Sequence, residues 1–82
     1  MENVKITSLQ SKVRGQAVLF QVIDFTGPNM LIERLQELGF HRGLHCELIG
    51  RAPFAGPLLI RLGGTVVALR AEEADCLRIQ TL

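Results

Sequence analysis

Residues 58–69, LLIRLGGTVVAL, are the most informative part of the sequence, because they consist of two apolar runs joined by Gly63-Gly64. Adjacent glycines can take positive φ angles without steric cost, which is typical of a two-residue β-hairpin turn. This turn sets the register of the two strands. One side of the ribbon is expected to pair Leu62 with Thr65, Ile60 with Val67 and Leu58 with Leu69, and this side is predicted to face the core. The other side is expected to pair Arg61 with Val66 and Leu59 with Ala68.

Three more stretches predict strands from their β-branched or alternating residues: Ala17 to Phe25, Leu44 to Gly50 and Leu77 to Thr81. In the second of them Cys46 falls on the inward phase and His45 on the outward one. Short helical turns are predicted near both ends of the chain, at Ser8 to Arg14 and Ala71 to Cys76. Glu72 and Glu73 open the second turn, where the helix dipole favours negative charge.

The segment Asn29 to Leu38 predicts the one longer helix, with Leu31, Leu35 and Leu38 at helical spacing. The Asn29 side chain is expected to accept a hydrogen bond from an unpaired amide at the helix start. Gly39 is predicted to end the helix in the left-handed conformation, which would fold Phe40 back onto Leu35.

These elements predict a mainly β fold, a small five-stranded, partly open SH3-like barrel with one intervening α-helix. A chain of 82 residues buries only about 60% of the surface that its unfolded form exposes. Curling the sheet into a barrel buries most of the apolar surface, whereas a flat sheet would leave one face wet. We therefore expect a single domain over residues 1–82.

Composition excludes several classes of protein. The net charge is only +1 and the basic residues are scattered, so no nucleic-acid footprint is present. Because Trp and Tyr are absent, the chain cannot build an aromatic groove for proline-rich ligands or a base-stacking platform. Neither a signal peptide nor a membrane span is predicted. The two cysteines, Cys46 and Cys76, are expected to be reduced core residues of a cytoplasmic protein.

No motif predicts an enzyme or a cofactor site. The glycine-containing run Gly50 to Gly56 is followed by Pro57, where a phosphate-binding loop would need lysine and a hydroxyl residue. We expect no resident metal, although an alternative hypothesis makes the chain a metal-responsive or metal-binding protein that uses His41, His45 and Cys46, since imidazole and thiolate suit Zn(II) or Fe(II).

Three segments resemble the ferrous iron transport protein A (FeoA) family in order and spacing. They are Arg34-Leu35-x-x-Leu38-Gly39-Phe40-x-x-Gly43, Ala52-Pro53-x-x-x-Pro57 and Ala68-Leu69-Arg70-x-x-Glu73-Ala74. The resemblance implies an SH3-like barrel and a cytosolic accessory protein that acts with the ferrous iron permease, a membrane protein with a G-protein domain. The family more often has an acidic residue just before the second proline, where this chain has Ala55-Gly56.

The loop Arg51 to Pro57 and the outer hairpin face carry apolar side chains with no evident internal partner. We therefore predict a partner-binding surface that consists of Arg51, Pro53, Phe54, Pro57, Leu59 and Val66. A further alternative is a self-assembling structural module, a weak homo-oligomer formed by pairing of free sheet edges.

Overall fold

A computed structural model describes residues 4–6, 17–54 and 56–82. Within these ranges the elements follow in the order β1 (Val4–Lys5), β2 (Val18–Phe25), α1 (Asn29–Glu37), β3 (His45–Arg51), β4 (Leu58–Leu62), β5 (Thr65–Leu69), α2 (Ala71–Ala74) and β6 (Leu77–Thr81). The mainly β class and the position of the longer helix are confirmed. The turn predicted for Ser8 to Arg14 lies outside the described residues. In the described part of the chain, neither helix has the length and the apolar run needed to cross a membrane.

The six strands form one antiparallel sheet in the order β1-β6-β2-β3-β4-β5. Its core is a single cluster to which every strand from β2 to β6 contributes, with Phe20, Cys46, Ile60, Leu69 and Ile79 among its members. In a flat sheet, β6 and β5 would lie four positions apart and could not contribute to the same core. The sheet therefore curls around its own apolar face, as a small barrel does.

The β4–β5 hairpin has the predicted register at all five pairs. Its inner face is buried at Leu58, Ile60 and Leu69, while Val67 is half-buried and Thr65 is exposed beside the turn. Of the two turn glycines only the first has a left-handed φ, +58° at Gly63. This is the geometry of a type II′ turn, so one glycine rather than both is required by the backbone.

Helix α1 ends in the predicted glycine cap. Gly39 has a φ of +110°, the Phe40 amide donates to the Leu35 carbonyl at 3.1 Å, and the Gly39 amide donates to the Gln36 carbonyl at 3.0 Å. These two bonds pair carbonyls of the last helical turn with amides beyond it, and the Phe40 side chain that follows the cap is buried in the core.

Two details of the helix prediction were wrong. The residue before the helix is Pro28, with a φ of −63° and an extended ψ of 135°, and no side chain caps the first turn. Asn29 is therefore the first helical residue rather than the cap. Leu38 is the C-terminal cap residue and is 40% exposed, so among the three leucines at helical spacing only Leu35 is fully buried.

The structure adds a sixth strand to the five predicted, because β1 pairs with β6 through Val4 opposite Ile79 and Lys5 opposite Arg78. A strand of two residues has no alternation that a sequence pattern could reveal. Arg51, predicted to begin the loop, is instead the last residue of β3 and lies opposite Leu58.

An ion pair joins the two helices. The Arg34 Nε of α1 lies 3.0 Å from Oε2 of Glu73 in α2, and the other oxygen of that carboxylate accepts a hydrogen bond from the Arg70 amide at 3.0 Å. Glu73 is buried. Its carboxylate thus satisfies an unpaired amide at the start of α2 and fixes α2 against α1.

Candidate partner-binding surface

The loop between β3 and β4 is held by hydrogen bonds within itself. The Ala52 amide donates to the Pro57 carbonyl at 2.9 Å, which closes the loop at its base, and the Gly56 amide donates to the Ala52 carbonyl at 3.2 Å. The Arg51 Nε also donates to the Gly56 carbonyl, at 3.1 Å. These three bonds join the two sides of the loop, so its described residues have a defined conformation before a partner binds, which lowers the entropy cost of binding.

Phe54 stands at the tip of this loop with its ring fully exposed to solvent. Its φ is +62°, and it is the only described residue other than glycine with a positive φ. A left-handed backbone costs an L-residue roughly 1–2 kcal/mol, and an exposed ring recovers none of this by burial. Neither local backbone preference nor core packing therefore accounts for phenylalanine at this position.

The outer face of the hairpin is partly apolar. Leu59 is half-buried beside the exposed Ala68, and Val66 is 49% exposed opposite Arg61. The guanidinium of Arg61 lies 3.7 Å from the carboxylate of Glu47, the residue opposite it on β3. The Arg61–Glu47 ion pair therefore lies next to these apolar side chains, on the side toward β3.

The predicted site residues fall into two groups, which we call the loop patch (Pro53, Phe54, Pro57) and the sheet patch (Leu59, Val66). Leu59 follows Pro57 closely, whereas Val66 lies opposite Arg61, four residues beyond Pro57 at the base of the loop. Four residues of strand span about 13 Å. The two patches are thus continuous through Leu59, with Val66 at the far end. Arg51 has a different position from the rest, because it is half-buried and braces the loop.

Sequence reasoning did not single out the exposed apolar side chains of α1. Met30 is 80% exposed, and it lines a shallow groove on the helix with Leu31 and Leu38, bordered by Glu33, Arg34 and Glu37. At helical spacing, Met30 does not share the face that carries Leu31 and Leu35. This difference in phase could have identified Met30 as an outward-facing residue from the sequence. This helix groove is a competing apolar surface against which the predicted site must be tested.

Electrostatic contacts also fix the region where β2 ends. The Asp24 carboxylate accepts a hydrogen bond from the Phe25 amide at 2.8 Å and pairs with the Arg42 guanidinium at 2.8 Å. These contacts lower the pKa of Asp24, the amide bond contributing most. The same arginine lies over the Phe25 ring, 5.9 Å from its centre. The turn after α1 is thereby tied to β2.

The residues of the metal-binding alternative do not converge. His41 and His45 are exposed, whereas Cys46 is buried on the opposite face of β3. Burial raises the pKa of the Cys46 thiol from 9.0 to about 11, which disfavours the thiolate that a metal requires. Over residues 4–6, 17–54 and 56–82, no three His, Cys, Asp or Glu side chains form a group suited to a metal ion.

Both the sequence and the fold are similar to those of known proteins. A model of the FeoA domain matches residues 2–81. The fold is similar to that of a FeoA-like protein from Clostridium acetobutylicum, with a TM-score of 0.84 and 21% identity over all of this chain and 90% of the other. It is similar to an iron uptake regulatory protein (FeoA), with a TM-score of 0.79 and 18% identity over the whole of both chains.

A third similar structure is the FeoA of Stenotrophomonas maltophilia in complex with zinc, with a TM-score of 0.57 and 32% identity over 78% of each chain. That protein is described as a prokaryotic SH3 domain protein and a candidate activating factor of bacterial ferrous iron transport. The likeness confirms the predicted SH3-like fold. No curated relative matches the sequence.

Proposed function

Because the chain belongs to the FeoA domain family, as its three motifs predicted, we propose that it is a non-enzymatic accessory protein of ferrous iron uptake. It works in the cytoplasm and binds the G-protein region of the ferrous iron permease. The contact is made by the loop patch and the adjoining sheet patch. The names given to two of the similar proteins, an iron uptake regulatory protein and a candidate ferrous iron transport activating factor, support the assignment to this process.

The single observation that carries the choice of surface is the conformation of Phe54. The ring is fully exposed, the backbone is left-handed, and the loop is closed by its own hydrogen bonds. An exposed aromatic ring on a preorganised loop is the kind of anchor that dominates protein interfaces, since it enters a pocket of the partner at small entropic cost. Val66 extends the contact along the sheet, and Arg51 acts by holding the loop in place.

Calorimetric titration of the purified chain into the G-protein region tests this proposal. Phe54→Asp is expected to weaken binding at least about thirtyfold, because a centrally buried aromatic anchor is worth about 2 kcal/mol or more. Val66→Glu is expected to weaken binding by a smaller factor, since this residue lies at the end of the surface. Neither residue supports the core, so both variants should melt close to the wild-type temperature.

Met30→Asp is the matched control, because it places the same charge on an exposed apolar side chain of the helix groove. Binding by this variant should equal that of the wild type. If Phe54→Asp binds normally while Met30→Asp does not, the partner surface is the helix groove. If the wild-type chain does not bind the G-protein region at all, the proposed partner is wrong.

A further inference from the structure

In the described part of the chain, strand β5 is a sheet edge without the usual protection. Its residues, Thr65 to Leu69, include no charged side chain, proline or glycine. Among the described residues it pairs with β4 alone, and Thr65, Val66 and Ala68 are exposed. Natural proteins normally shield such edges with charge, proline, bulges or short length, because an open edge is a template for pairing with another strand. The opposite edge, β1, has such protection, being two residues long and carrying Lys5.

The hairpin register identifies the backbone groups that face outward from β5. A two-residue turn makes its flanking residues, Leu62 and Thr65, a hydrogen-bonded pair, and such pairs alternate along an antiparallel ladder. Thr65, Val67 and Leu69 therefore bond to β4. The N–H and C=O groups of Val66 and Ala68 point away from the sheet, where no described residue forms a backbone hydrogen bond to them.

The outward-facing backbone groups of Val66 and Ala68, which are separated by one residue, can pair with the same groups of a second copy of β5. If a second copy lies antiparallel with Val67 opposite Val67, then Val66 lies opposite Ala68 of the second copy, and the reverse holds by symmetry. All four outward N–H and C=O groups of each copy are then paired. Shifting either strand by two residues leaves some of them unpaired. The pattern thus selects one register, with a two-fold axis at Val67.

The side chains are compatible with the same register. On the outer face, one row of side chains would cross the junction. In spatial order it would consist of Arg61 and Val66 of one copy, followed by Ala68 and Leu59 of the second copy. Each exposed Val66 thereby gains an apolar neighbour, and the Arg61 side chains of the two copies lie far apart. Because β5 itself carries no charge, no like charges meet at the junction.

We propose that the chain forms a reversible two-fold dimer through β5, joining two six-stranded sheets into one. The contact is small, well below the roughly 800 Å² per partner of a stable interface. Association is therefore weak, with a midpoint between micromolar and millimolar chain concentration. The proposal is independent of the function proposed above and is tested without the permease, although both contacts use Val66 and the two would therefore compete.

Sedimentation equilibrium over a concentration series tests the dimer. Ala68→Pro removes an outward amide without touching the β4–β5 ladder, and it should weaken association at least about tenfold. Ala68→Val keeps that amide and adds apolar contact, so it should associate at least as tightly as the wild type. Circular dichroism melting verifies that each variant folds.

Disulfide trapping tests the register by a separate readout. Central Cα atoms of such a pair lie about 4.5 Å apart, within the roughly 4.4–6.8 Å that a disulfide spans, so Val67→Cys should give a covalent dimer on mild oxidation. Thr65→Cys is more exposed, but the two copies of residue 65 would lie about 14 Å apart, so it should remain unlinked. A chain that stays monomeric to millimolar concentration overturns the proposal. So does a dimer that Ala68→Pro leaves unchanged, or cross-linking of Thr65→Cys that is as fast as that of Val67→Cys.

Discussion

Replacing Phe54 by glycine should make the protein more stable and weaken its binding to the partner at least about thirtyfold. The ring is fully exposed, so its removal sacrifices no buried contact. The backbone φ of +62° is unfavourable for phenylalanine and favourable for glycine. A residue that costs stability and is retained by a folded chain is typical of a functional position.

The magnitude follows from two opposing terms. Relief of the left-handed conformation contributes roughly 1–2 kcal/mol, and the greater freedom of glycine in the unfolded chain opposes this by about 0.4–1 kcal/mol. The net gain therefore lies between about 0 and 1.6 kcal/mol, with a central value of about 0.8 kcal/mol. For a domain of this size, each kcal/mol raises Tm by about 4–8 °C, so the central value corresponds to an increase of about 3–6 °C.

Thermal and urea unfolding followed by circular dichroism measure this effect. Phe54→Ala is the matched control, because it removes the ring but keeps an L-residue at positive φ. It should change the free energy of unfolding by less than about 0.5 kcal/mol, and it should weaken partner binding as the glycine variant does. If Phe54→Gly instead lowers the free energy of unfolding by 1 kcal/mol or more, the ring packs against the fold, and the argument for a free loop patch fails.

Three other perturbations test the fold. Gly39→Ala places a Cβ on a backbone with a φ of +110° and 3.2 Å from the Leu62 side chain, so it should lower the free energy of unfolding by about 1–3 kcal/mol. Gly64→Ala is the control and should change the free energy of unfolding little, because a Cβ there has no neighbour within 4 Å. Glu73→Ala should lower the free energy of unfolding by about 1–3 kcal/mol, because it removes the acceptor of the Arg70 amide and the ion pair with Arg34. Glu73→Gln should lower it by less. The raised pKa of the buried Cys46 means that its contribution to stability is complete below pH 9.0 and is lost as pH rises toward about 11.

Each of these has a contrary outcome, read from urea unfolding curves. Equal losses for alanine at positions 39 and 64 would mean that the glycine cap does not constrain the chain. No difference between Glu73→Ala and wild type would make the contact between α1 and α2 dispensable. For the thiol, the variant Cys46→Ala serves as the reference. If its stability falls as steeply as that of the wild type above pH 9.0, Cys46 does not cause the loss.

The hairpin could be predicted pair by pair because its information is local. Gly63-Gly64 fixes the turn, and strict alternation on either side then determines which residues face the core. The glycine cap at Gly39 was predictable for the same reason, since a helix end is specified by a few neighbouring residues. Both features depend on contacts between residues that are close in the sequence.

Features that depend on the rest of the molecule were less accessible. Pro28 precedes the helix and displaces the expected Asn29 cap by one position, and two-residue strand β1 exists only because β6 offers it a ladder. The ion pair from Arg34 to Glu73 joins two motifs whose spacing carried the family resemblance but gave no sign of contact. Within the candidate site, Phe54 was recognisable as the large apolar side chain of its loop. Its left-handed backbone is a property of the folded loop, which sequence spacing does not disclose.

Nuclear magnetic resonance can locate the partner-binding surface residue by residue. The G-protein region of the permease is added to the ¹⁵N-labelled chain, and the backbone amide resonances of the chain are followed. If the loop patch and the sheet patch bind the partner, the shifts should concentrate at residues 51–59 and at Val66, with Phe54 affected most. Shifts confined to the helix groove around Met30 and Leu38, with residues 51–59 unchanged, would show that the partner binds elsewhere.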